Sequence, residues 1–133
     1  MNLSICIITK NEEQNIDRCL KALAPYGLET IVVDTGSTDR TKQIAARYTD
    51  RLYDFPWCDD FSAAKNFAIE KASHSYVLVL DSDEFVEQLD LSALEKQIAA
   101  HPGAVGRIRR RNVFHRNGEE QENREWINRI FAK

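Results

Sequence analysis

What most restricts the fold of this chain is a repeated alternation of three kinds of segment. An apolar, β-branched run is followed by a polar cluster, then by apolar residues at helical spacing. Leu3 to Thr9 is almost continuously apolar, the pattern of a strand buried on both faces. Ile16, Cys19, Leu20 and Leu23 then fall on one helix face, with Asn11 and Gln14 spaced as a capping box and Pro25 with Gly27 as the stop. Glu29 to Val33 predicts a second strand, Arg40 to Tyr48 a helix with Ile44 and Ala45 inward, and Asp50 to Phe55 a third strand ended by Pro56. Phe61, Ala64, Ala68 and Ile69 mark a helix over Phe61 to Ala72, and Ser75 to Leu80 is the strongest strand. This β-α-β-α-β-α-β order predicts a mostly parallel sheet with helices on its faces, joined by right-handed crossovers. Beyond it, a helix is expected from near Asp90 or Ser92, where Ser92 and Glu95 are spaced as a capping box. A strand over Ala104 to His115, a turn at Asn117-Gly118 and a strand over Trp126 to Ala132 complete the chain.

In open sheets of this kind, ligands bind outside the carboxyl ends of the strands. Thr9-Lys10-Asn11-Glu12 follows the first strand, Asp34 the second, and Asp81 and Asp83 the fourth, so all three polar clusters fall on one edge. Asp81-Ser82-Asp83-Glu84 sets three carboxylates within four residues. Like charges this close need a neutralising cation, and hard oxygen ligands suit Mg²⁺ or Mn²⁺. The alternative is a solvated acidic loop that caps the next segment. Asp34-Thr35-Gly36-Ser37-Thr38-Asp39 offers a carboxylate, a permissive glycine and three hydroxyls ahead of a helix, where anions and polar ligands are favoured. Ser37 or Thr38 would also cap that helix. Asp-Thr-Gly-Ser is also the signature of aspartic proteases, but that chemistry needs paired carboxylates on an all-β fold, and helical periods flank this loop on both sides. Asp81 and Asp83 could likewise serve phosphoryl transfer, although there the acidic pair usually follows the first strand.

Composition narrows the partners. Lys+Arg 18 against Asp+Glu 21 gives a net charge of −3, which argues against a nucleic-acid partner. No apolar run approaches the roughly 20 residues of a membrane span. Cys6, Cys19 and Cys58 are odd in number and scattered, with no C-x-x-C, which fits core thiols in a reducing compartment. Met1 leads straight into a strand, without the basic region of a signal peptide. Arg107, Arg109 and Arg111 alternate on one strand face, as edge protection or as a site for phosphate-bearing acceptors or lipid headgroups. Lys65 and Asn66, taken alone, are a solvated helix face.

Taken in order, Ile5 to Ile16 with Cys19-Leu20, Val32 to Asp39 with Thr41, Asn66, and Asp81 to Glu84 resemble family 2 glycosyltransferases. The subgroup is that of bacterial enzymes of lipopolysaccharide-core or cell-wall synthesis. The resemblance implies a GT-A fold: an α/β, Rossmann-like three-layer α/β/α sandwich with a mostly parallel sheet. It implies one nucleotide-sugar-binding domain over residues 1–133, with the nucleotide motifs in 1–90. Residues 91–133 would begin a truncated acceptor-side region. Thr9 and Glu12 would then contact the nucleoside and Asp34 its base, with Asn11, Gly36, Ser37, Lys65 and Asn66 as further donor contacts. Lys65 stands where the family often has Arg, and the two differ in fork geometry. Asp81 would bind ribose or metal, and Asp83 would ligate the Mn²⁺ or Mg²⁺ on the diphosphate. The implied reaction is inverting transfer from a nucleotide-diphosphate sugar, most simply a UDP-sugar, to a glycan or lipid-linked acceptor. The implied place is the cytoplasm, at the inner face of the membrane. The general base would lie beyond Lys133; without it the chain would be a catalytically incomplete nucleotide-sugar-binding module.

Overall fold

The computed structural model describes residues 2–57 and 59–133, so Cys58 and Met1 lie outside the described residues. Six strands form one sheet, β1 (Leu3–Thr9), β2 (Glu29–Asp34), β3 (Leu52–Asp54), β4 (Tyr76–Asp81), β5 (Gly106–Arg116) and β6 (Glu119–Ala132). They lie in the order β3-β2-β1-β4-β6-β5. The first four are mutually parallel, and β6 adds antiparallel to β4. Helices α1 (Ile16–Leu23), α2 (Thr41–Ala45), α3 (Phe61–Lys71) and α4 (Leu91–Ala100) connect them.

Alternation along each central strand sorts its side chains into two cores. Leu3, Ile5, Ile7, Val32, Leu78 and Leu80 pack with Ile16, Cys19, Leu20 and Leu23 of α1 and Ala45 of α2, and Leu94 of α4 joins them. Cys6, Ile31, Val33, Val77 and Val79 face Ala68 of α3 and Ala72 on the opposite side. Helices on both faces of a mostly parallel sheet make the three-layer α/β/α sandwich. Burial drives the Cys6 and Cys19 thiols up to about 12, so both sit in the core as small neutral residues.

Several local expectations are corrected. Asn11 does not cap α1: it takes a left-handed backbone, φ 52°. Glu12 instead accepts bonds from the Asn15 and Ile16 N–H groups at 3.0 and 2.8 Å, and α1 starts at Ile16. Neither Ser37 nor Thr38 caps α2. Arg40 is the N-cap, without a side-chain bond, and Asp39 before it braces the first turn, its Oδ1 accepting from the Thr41 N–H at 2.9 Å and the Thr41 hydroxyl at 2.5 Å. The Ser92 capping box does not form either, because Asp90 takes that place by accepting from the Ala93 N–H at 3.0 Å. Strand β6 begins seven residues before Trp126, at Glu119. The turn at Asn117 and Gly118 holds, both residues having positive φ, 54° and 78°, as a primed hairpin turn requires.

Candidate functional site

Parallel register carries the polar clusters to one place. Thr9 pairs with Asp34 and Ile8 with Asp81, so the ends of β1, β2 and β4 are level. A cleft of about 620 Å³ opens at this edge, lined by Ile8, Thr9, Lys10, Glu12, Thr35, Trp57, Phe61, Asp81, Ser82 and Asp83. Thr9 is buried, and its hydroxyl oxygen has no hydrogen-bond partner among the described residues. A buried hydroxyl left in this state costs about 1–3 kcal/mol unless something bonds to it. That makes the Thr9 wall a place where a ligand's polar group is welcome. A second cleft, of about 460 Å³, lies at the amino end of β2 between Leu28–Thr30 and Ala46–Arg51, away from these motifs.

The loops after β1 and β2 are stitched together. The Asn11 N–H donates to the Ser37 hydroxyl at 2.9 Å, the Glu12 N–H to the Thr41 hydroxyl at 2.8 Å, and the Thr38 N–H to Asn11 Oδ1 at 2.8 Å. Glu13 accepts from the Arg40 N–H at 3.1 Å. Asp34, 1% exposed, turns its carboxylate into its own loop, accepting from the Gly36 and Ser37 N–H groups at 2.9 and 2.8 Å and from the Ser37 hydroxyl at 2.5 Å. Asn11, Gly36 and Ser37 therefore build the walls of the edge, and Asp34 pins its loop from beneath. Of the expected donor contacts, Thr9, Glu12 and Asp81 line the cleft with Asp83, while Asp34, Asn11, Gly36 and Ser37 are outside its lining. Lys65 is also outside the lining, its Nζ 5.3 Å from the ring centre of Phe61, and Asn66 is exposed on α3.

The acidic loop is held by a residue that the sequence analysis did not single out. Arg129 of β6 donates to the Val79 carbonyl at 3.2 Å and to Glu84 Oε2 at 3.1 Å, and lies 3.5 Å from Asp81 Oδ2. Glu84 in turn accepts from the Asp81 N–H at 2.9 Å. Glu84 thus serves as a counter-ion and loop brace, leaving Asp81 and Asp83 as the acidic-loop carboxylates that line the cleft, in addition to Glu12. Among the described residues, no three His, Cys, Asp or Glu side chains converge on a point that could hold a metal. Two carboxylates fit a cation such as Mg²⁺ or Mn²⁺ that takes its remaining ligands from substrate phosphates and water. They do not fit an ion caged by protein alone. No helix among the described residues is long and apolar enough to cross a membrane.

Residues 4–133 match the model of Glycosyl transferase family 2. The lipopolysaccharide core biosynthesis glycosyltransferase LpsC of Rhizobium meliloti is 32% identical over 127 residues, covering 91% of this chain and 46% of that protein. A TPR repeat-containing protein of Synechococcus elongatus is 45% identical over 82 residues, which are 62% of this chain and 20% of its own length. The crystal structure of S. aureus TarS 1-349 in complex with UDP superposes with a TM-score of 0.65 at 29% identity, covering 79% of this chain and 34% of that one. Glucosyl-3-phosphoglycerate synthase of Mycobacterium tuberculosis, in complex with Mn²⁺ and UDP-glucose, gives 0.56 at 26% identity, covering 62% and 33%. The chain spans between a fifth and a half of the length of these two curated relatives.

Proposed function

The chain belongs to glycosyl transferase family 2, and from that premise we propose that it is the donor-binding part of an inverting glycosyltransferase. Its donor is a nucleotide-diphosphate sugar, UDP-linked in the simplest case, held with Mn²⁺ or Mg²⁺. The product is a lipopolysaccharide or cell-wall glycan, and the acceptor is a glycan or lipid-linked hydroxyl met at the inner face of the cytoplasmic membrane. One observation carries the reading: the unpartnered Thr9 hydroxyl shares a cleft with Asp81 and Asp83 at the carboxyl edge of the sheet. The relation to LpsC and the UDP-bound neighbour supports it.

In this reading Thr9 bonds the nucleoside, Glu12 lies beside it, and Asp34 keeps its loop open for the base. Its carboxylate, 1% exposed, accepts three bonds from that loop and so positions the loop. Lys65 and Asn66 approach from the α3 side. Asp81 and Asp83 would hold the cation, and the chemistry it would supply there is Lewis-acid stabilisation of the departing diphosphate. The acceptor oxygen forms its bond to the anomeric carbon as the bond from that carbon to the diphosphate oxygen breaks, and a general base takes the hydroxyl proton. We place that base outside these residues. The cleft's own carboxylates, Glu12, Asp81 and Asp83, are taken up by donor and cation, and Glu84, Glu87, Glu122 and Glu125 are paired with arginines. The same pairing favours a second reading, a catalytically incomplete binding module; hydrolysis or transfer from a nucleotide sugar by these 133 residues alone would contradict it.

Calorimetry with UDP and Mn²⁺ tests the donor reading. The wild-type chain is expected to bind UDP in a metal-dependent way, and Asp83→Ala to bind at least tenfold more weakly, about 1.4 kcal/mol. Equal binding by both, or binding by neither, contradicts it.

A further inference from the structure

Trp57 and Phe61 are out of place in an otherwise polar cleft. They are 44% and 47% exposed, belong to neither apolar core, and both line the cleft that holds Thr9, Thr35, Asp81 and Asp83. Local bonds hold the segment that carries both rings. The Trp57 indole N–H donates to Asp59 Oδ1 at 2.9 Å, and Phe61 opens α3, whose first turn is fixed by Asp60 accepting from the Ala63 N–H. Beneath them, Phe67 of α3 packs on Tyr53 and Phe55, with ring centres 6.1 and 5.0 Å apart, tying the segment to β3. Lys65 rests against the Phe61 ring. An aromatic surface held open to solvent suits a flat, polar-edged ring better than it suits the core.

Sheet order says which part of a ligand would meet it. At this same carboxyl edge the acidic loop follows β4 and the aromatic segment follows β3, the outermost parallel strand on the other side, with the ends of β1 and β2 between. A nucleoside diphosphate with its phosphates at Asp81 and Asp83 extends its other end along this edge, past Thr9 and Thr35, toward the rings. We propose that Trp57 and Phe61 form the wall on which the donor's nucleobase stacks, an inference that rests on the donor-binding reading above. Stacking supplies affinity for the base, while Thr9 and Thr35 offer groups that its polar edge can bond.

The test uses Trp57 as its own reporter. The chain has two tryptophans, so Trp126→Phe on the exposed hairpin leaves Trp57 as the sole one. UDP with Mg²⁺ is expected to quench its fluorescence, and pyrophosphate with Mg²⁺ to leave it unchanged. Trp57→Ala should weaken UDP binding about tenfold in calorimetry without altering pyrophosphate binding, and Trp57→Phe should restore most of it. UDP binding with undiminished affinity in Trp57→Ala and no quenching in the reporter chain would overturn the stacking wall and leave the donor reading standing. Quenching by a UDP-sugar but not by UDP would overturn it in favour of a sugar-facing wall. Failure of the unaltered chain to bind UDP would overturn both.

Discussion

At the residue scale, the polar side chains divide into those that build the edge and those that face the cleft, and the division follows from hydrogen-bond accounting. Asp34 and Asn11 have their side-chain oxygens committed to N–H and hydroxyl groups of the loop after β2, whereas the Thr9 hydroxyl has no partner among the described residues. The sequence marks all three as loop-edge polar residues, but it holds no record of which loop each side chain reaches across to. Glu29 shows the same accounting at the amino end of β2. Burial pushes its carboxyl up, but bonds from the Ser73 N–H and hydroxyl, the Ser4 hydroxyl and the nearby Arg51 charge more than offset this and hold it below its usual 4.5. The folded state therefore binds fewer protons than the unfolded one between the two values. The stabilisation is complete above about 4.5 and is lost as pH falls through the lower, folded value. Glu29→Gln should lower stability by about 1 kcal/mol at pH 7, measured by urea unfolding, and the gap should narrow as the pH is taken below about 4.5. A gap that stays constant with pH would refute this assignment.

At the scale of elements, the four parallel strands and their helices were legible because buried strands read as continuous apolar runs and helices as one-sided ones. The hairpin was legible only at its ends. Residues Glu119 to Glu125 are exposed on both sides of a two-stranded ribbon, so no apolar alternation announces that part of β6. Only Tyr76 to Leu78 of β4 pair with β6, and the rest of the ribbon is anchored by charge, Arg110 to Glu84 and Glu125, Arg111 to Glu87 and Glu122. A bulge aims a further anchor, Arg129. The register steps from Gly106 opposite Ile130 to Arg107 opposite Asn128, which leaves Arg129 unopposed and turned to the acidic loop. Gly106 makes this possible by close approach, since a Cβ there would lie 2.8 Å from Ile130 Cβ. Gly106→Ala is therefore expected to cost about 1–3 kcal/mol in thermal or denaturant unfolding. An unchanged midpoint would show that the bulge relaxes without cost.

For the whole molecule, two apolar cores clamp a sheet whose carboxyl edge gathers residues far apart in sequence, from Thr9 to Asp83, into one cleft. That gathering was legible in advance, because strand order and parallel direction alone determine which edge each loop leaves. Arg129 and the aromatic pair were not, since their places depend on a bulge and on how α3 meets the edge. The account's central claim is that this edge binds the nucleotide. Chemical-shift mapping on the ¹⁵N-labelled chain tests it most directly. UDP with Mg²⁺ should shift the amides of Thr9, Thr35, Ser82 and Asp83 and leave Glu29, Thr30 and Ala46 to Arg51 at the opposite edge unmoved. Shifts confined to that opposite edge, or no shifts at millimolar UDP, would contradict the account.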